Sequence, residues 1–213
     1  GTGITATGSA SVDFESDLVV WRGSFSVQGD TPRIAYSSIK KDGEIVKSYL
    51  RDNGVTDDEM VLSSVSISPT YTSQYDEEGR YLGDIQSGYE LTQSMTVTSQ
   101  DIDKVELISR DISNLIESGV ELQSNLPEYY YTKLDELKLD LITKATANAK
   151  ERIDLVASGC GAQTDQLLTA SLGVFQITAT NSGTESYSYG GSFNTSSRFK
   201  TANITVRLNY SVK

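Results

Sequence analysis

The chain has 213 residues and a formal net charge of −11. That length buries about 70% of the surface exposed by the unfolded form, enough for a core without metal or disulfide staples. The acidic balance disfavours nucleic acid, which is held by clustered Lys and Arg, and it disfavours anionic lipid surfaces equally.

The first strand signal is Ile4, Ala6, Gly8, Ala10 and Val12 alternating with Thr5, Thr7, Ser9, Ser11 and Asp13. A second follows at once, with Val19, Trp21, Gly23, Phe25 and Val27 opposite Arg22, Ser24 and Ser26. Period two with one polar side predicts strands buried on one face, in a mainly antiparallel sheet. Thr31 then offers an N-cap with Pro32 at the first helical position. The stripe Ala35, Ile39, Val46, Tyr49 and Leu50 predicts a helix over Thr31–Leu50, ending at Gly54.

Strand character returns over Val61–Tyr71 and again over Tyr89–Val97. The acidic tip Asp76–Arg80 between them reads as a hairpin turn. Asp101 can cap a second helix with the stripe Val105, Ile108, Ile112, Leu115 and Ile116, stopped by Gly119. After Tyr129–Tyr131 comes the longest helix, Lys133–Val156, carrying Leu134, Leu137, Leu141, Ile142, Ala145, Ala149, Ile153 and Val156. Its small alanines predict the close approach of another backbone, and Gly159 is its expected left-handed cap. Residues 180–197, rich in Gly, Ser and Tyr, read as a flexible loop between two C-terminal strands, the last carrying Ile204, Val206, Leu208, Tyr210 and Val212. The sum is an α+β fold: antiparallel sheets with three main helices on the apolar face, in one domain over 1–213 that divides, if at all, into two lobes.

Several of these stretches resemble the SIMPL family, a bacterial cell-envelope domain of unknown function. They are Gly3–Val27, the run LSSVSISPTY at Leu62–Tyr71, and Gly88–Glu90 leading into Met95–Thr98 and Asp101–Val105. Ala145–Arg152, followed by Gly159 and Gly161, completes the set. Ser16 replaces a proline usual in the family, and Cys160 stands between the two glycines. The resemblance implies export to the periplasm, self-association and a loose link to envelope stress. It brings no catalytic residues. The start at Gly1 fits a trimmed leader or tag, and the longest apolar run, Leu18–Trp21, is far too short to span a bilayer.

Chemistry is sparse. The chain has no histidine and one cysteine, so Ser-His and Cys-His dyads and an intrachain disulfide are excluded. Cys160 follows a helix C-terminus, where the dipole disfavours a thiolate, so it reads as an inert small residue. The acidic groups Asp57–Glu59, Asp76–Glu78 and Asp135, Glu136 and Asp140 read as solvated turns and dipole partners, with a weak surface calcium site at Asp76–Glu78 as the minor alternative. No cofactor or metal is expected, and no enzyme activity. The suggestive excess is twelve tyrosines against one tryptophan. Tyr71, Tyr75, Tyr81 and Tyr89 flank the hairpin, and Tyr187 and Tyr189 lie in the C-terminal loop. These six are the candidate contact residues, for a homo-oligomer or an envelope partner; the alternative is a small-molecule or glycan binding module.

Overall fold

The computed structural model describes residues 3–180 and 194–213. In chain order the strands are β1 (Ile4–Glu15), β2 (Leu18–Gly29), β3 (Met60–Leu62), β4 (Ser66–Tyr75) and β5 (Tyr81–Ser99). They continue with β6 (Glu121–Ser124), β7 (Glu128–Tyr130), β8 (Thr164–Leu172), β9 (Gln176–Ala179) and β10 (Phe199–Val212). The helices are α1 (Pro32–Asp52), α2 (Ile102–Asp111) and α3 (Leu134–Gly159). The fold is α+β with antiparallel sheets, and it divides into two compact units, Gly1–Asp17 with Tyr129–Lys213, and Leu18–Glu128.

In the first unit the alternation of β1 turns its small apolar residues to one side. β10 runs along all of β1, from Ile4 opposite Tyr210 to Glu15 opposite Phe199, and carries β8 and β9 on its other side. Helix α3 closes the apolar face, setting Leu141, Ala145, Ala149 and Ile153 against Ile177, Ala202, Ile204, Val206 and Leu208. The predicted backbone approach is real and falls at Gly8. A methyl group there would sit 2.3 Å from Ala145 O and 2.3 Å from Ala149 N. No Cβ fits.

In the second unit β5 lies between β2 and β3, and β6 flanks β2. Trp21, Phe25, Leu91 and Met95 from the sheet are fully buried, as are Ile39 and Leu50 of α1 and Ile108 of α2. The buried indole is satisfied by relay: Trp21 Nε1 donates to Ser124 Oγ at 2.9 Å, and Ser124 Oγ donates to Ser109 O at 2.8 Å. Thr31 Oγ1 caps α1 by accepting from Ile34 N, and Asp101 Oδ1 caps α2 by accepting from Lys104 N.

Element boundaries bring one confirmation and three corrections. Gly54 and Gly119 take positive φ of 91° and 88° as expected, and Val55 N and Val120 N close back onto Leu50 O and Leu115 O. α3, however, runs through Gly159, and the left-handed residue is Gly161 at φ 74°, with Ala162 N bonded to Ala157 O at 2.8 Å. The extra turn buries Ala157 and leaves Val156 exposed. α2 stops at Asp111 and continues as a 3₁₀ segment, Ile112–Ser118. Three residues per turn shifts the phase of the stripe, so Ile116 faces solvent. The expected single strand Val61–Tyr71 is split into β3 and β4, because Ser63 binds Ser94 through its backbone and its hydroxyl.

Two substitution sets check this account. Gly8→Val should cost about 3 kcal/mol in urea unfolding, since overpacked cores lose about 1–3 kcal/mol and here the obstacle is backbone. Thr5→Val on the wet face should stay within about 0.5 kcal/mol. A Gly8→Val protein as stable as the parent would contradict the packing. Gly159→Ala, at the last residue of α3 with open space around its Cβ, should stabilise by about 0.5 kcal/mol, while Gly161→Val should lose about 1–2 kcal/mol. The reverse order would restore Gly159 as the cap.

Candidate functional site

The hairpin of β4 and β5 is the feature with no core behind it. β2 accompanies β5 only from Tyr89, opposite Gly29, onward. Residues 81–88 therefore pair with β4 alone, and the hairpin runs beyond the sheet as a two-stranded ribbon. At its base Gly88 has φ 156°, and a Cβ there would lie 2.7 Å from Gly29 O, so the ribbon leaves β2 at a close backbone contact. Register shifts at Thr70/Tyr71 and at Gln74/Tyr75 leave Ser87 and Leu82 unpaired in β5, and such bulges twist a ribbon further.

Tyr71, Tyr75 and Tyr81 are 61%, 60% and 59% exposed, and Ile67, Leu82 and Ile85 beside them are exposed as well. Tyr75 and Tyr81 face each other across the strands, with ring centroids 5.9 Å apart in an edge-to-face pair. A hydrogen bond to the Asp84 carboxylate pushes the Tyr81 phenol above its ordinary pKa. Tyr89, at the base, is half-buried opposite Pro69. Tyr187 and Tyr189 lie outside the described residues. The sequence pointed to the tyrosines and missed Ile67, Leu82 and Ile85. The available signal was apolar residues on both parities, Tyr81, Leu82 and Ile85, where a one-sided strand would show alternation.

At the tip, the turn is held by Asp76. Its Oδ1 accepts from Glu78 N at 2.9 Å and from Arg80 N at 2.8 Å, and its Oδ2 accepts from Arg80 Nε at 2.8 Å. The Arg80 backbone bond leads the effects that lower the Asp76 pKa below the usual carboxylate value. The carboxylate is thus committed to the turn rather than turned out as a calcium ligand. Among the described residues, no group of three or more Cys, Asp or Glu could hold a metal ion. Tyr129 is buried, and the half-buried Tyr131 packs on Phe14, their ring centroids 4.8 Å apart. Cys160 is exposed in the turn that ends α3.

The sequence profile of SIMPL, a protein family of unknown function (DUF541), matches residues 4–212. The chain belongs to the SIMPL family. No curated protein matches it. The match takes in both units, so the ribbon of β4 and β5 and the edge strands of the first unit all lie inside this SIMPL domain. No helix among the described residues is long and apolar enough to cross a membrane.

Of the acidic groups, Glu59 has the most distinct environment, and it is structural. Its carboxylate receives Lys104 Nζ at 2.9 and 3.2 Å and Thr56 N at 3.0 Å, while Lys104 Nζ also donates to Gly54 O. Burial favours the neutral acid, but bonds from Ser99, Thr56 and Lys104 and the lysine charge outweigh it, lowering the pKa from 4.5 to about 2. A pKa depressed on folding stabilises above the unfolded value and is lost as pH falls through the folded one. Thermal melts should therefore show stability declining as pH drops from 4.5 towards 2, with that limb flattened in Glu59→Gln. Parallel curves for the two proteins would mean the ion pair contributes nothing.

Proposed function

We propose that this SIMPL domain acts by contact: a non-enzymatic, exported protein of the cell envelope that associates with itself or with a partner protein through the ribbon of β4 and β5. The observation that carries this reading is the ribbon itself, whose aromatic and aliphatic side chains are exposed on a hairpin that, among the described residues, pairs with no other strand beyond Gly88. Isolated two-stranded ribbons are marginal in water, and exposed apolar clusters mark interaction sites. Tyrosine suits such a surface, because it offers a large rigid face at low entropic cost and keeps a polar tip. Export rests on the family resemblance and on the composition rich in Ser, Thr, Tyr, Asn and Gly, and a loose link to envelope stress rests on the resemblance alone.

Tyr71→Ser, Tyr75→Ser and Tyr81→Ser combined should reduce association, read by light scattering after gel filtration, at least tenfold. The melting temperature should shift by only a few degrees, since exposed side chains contribute little to folding. A wild-type chain that stays monomeric at high concentration and captures no envelope protein would contradict the reading. So would a triple variant that associates as strongly as the parent.

A further inference from the structure

Sheet edges recruit other strands through their outward N–H and C=O groups, and proteins guard them. In the unit of Gly1–Asp17 and Tyr129–Lys213, β10 is central, and β1 and β8 are edges. α3 covers the β1 edge at Thr7 and Ser9. Ser9 N donates to Asn148 Oδ1 at 3.0 Å, and Arg152 Nη1 donates to Thr7 O at 2.9 Å.

The β8 edge is built differently. Gly173 N donates inward to Thr205 O at 2.8 Å, so the two-residue period turns the backbone groups of Ala170 and Leu172 outward. Among the described residues, no side chain closes them as Asn148 and Arg152 close β1. Every residue of β8 after Thr164 is exposed, Leu172 at 60%. The strand holds no proline and no basic residue, and its one acid, Asp165, has Lys213 Nζ at 3.8 Å. Proline and basic guards are absent, and the register shifts against β10 fall before Thr169, so Ala170–Leu172 remain a regular edge. Alongside lies an apolar cleft of about 240 Å³, lined by Leu167, Ala170, Leu172, Val206, Leu208 and Tyr210 among others.

We propose that β8 is the strand through which two copies of this chain join, antiparallel about a two-fold axis at Ser171, continuing the sheet from one copy into the other. This deepens the self-association reading above and rests on it. The occupant follows from charge and register. A two-fold at Ser171 sets Ala170 of each copy opposite Leu172 of the other, so outward backbone groups meet outward groups and a small side chain meets a large one beside the cleft. The two Asp165 carboxylates then lie about 40 Å apart along the strands, well beyond the screening length of about 8 Å. For a chain of net charge −11, an almost uncharged edge is the place where a like-charged copy meets least repulsion. Main-chain bonds supply the affinity and the cleft supplies the fit.

Ser171→Cys in a Cys160→Ser background tests the axis. Residues facing each other across a non-bonded antiparallel pair have Cα atoms about 4.5 Å apart, within disulfide range. With diamide as oxidant, this variant should convert mostly to a cross-linked dimer on a non-reducing gel. Thr169→Cys in the same background, offset along the strands, should stay unlinked. Leu172→Lys should weaken association at least tenfold in sedimentation equilibrium without changing the melt. If the chain associates while Ser171→Cys stays unlinked and Leu172→Lys associates normally, the β8 joint is wrong and the self-association reading stands. A chain monomeric at every concentration overturns both.

Discussion

The first unit depends on one contact, the backbone of Gly8 in β1 pressed against the Ala145–Ala149 turn of α3. Three small residues in two elements let a helix and a strand approach more closely than any side chain would allow. The approach does more than fill space. It brings the short side chain of Asn148 within hydrogen-bonding reach of Ser9 N, and Arg152 within reach of Thr7 O. The same contact that packs the core therefore closes one edge of the sheet. Among the described residues β8 receives no such cover, and the asymmetry between the two edges follows from where the helix lies.

The second unit reaches a comparable result by different means. Its core is built on large side chains, Trp21, Phe25, Leu91 and Met95, and its polar demands are met by short relays such as Trp21 to Ser124 to Ser109. Its one extended departure is the ribbon, where β5 outruns β2 at a glycine that touches the neighbouring backbone. Among the described residues each unit thus pairs a well-packed core with an exposed strand feature. Two of its acidic side chains have structural roles: Glu59 ties down Lys104 and Thr56, and Asp76 ties down its own turn. Among the described residues the largest surfaces without an internal role are strand surfaces, and it is on these that the proposed contact rests.

Much of the fold was legible because its signals are local. Alternation marked β1 and β2, Thr31 with Pro32 and Asp101 marked the helix starts, and Gly54 and Gly119 marked two ends. What failed was phase and register. Gly159 and Gly161 are both plausible caps, and the deciding sign was the apolar residue directly after the glycine, Ala162, matching Val55 and Val120. The change from α to 3₁₀ after Asp111 has no composition signal, so Ile116 was assigned to the wrong face. β8 escaped notice because neither of its faces is buried, and so it lacks the one-sided pattern by which strands are read. The candidate site was half legible. Tyrosine positions are visible in the sequence, but the ribbon's projection past β2 is a fact of pairing partners that lie tens of residues away.

The claim that this domain works through unsatisfied strand surfaces is tested most directly by amide hydrogen exchange of the intact chain at low and high protein concentration. The account predicts that raising the concentration slows exchange in residues 66–86 and at Ala170 and Leu172, while β1, closed by Asn148 and Arg152, and the cores are unchanged. Exchange that is independent of concentration everywhere, or protection confined to segments outside those strands, would contradict it.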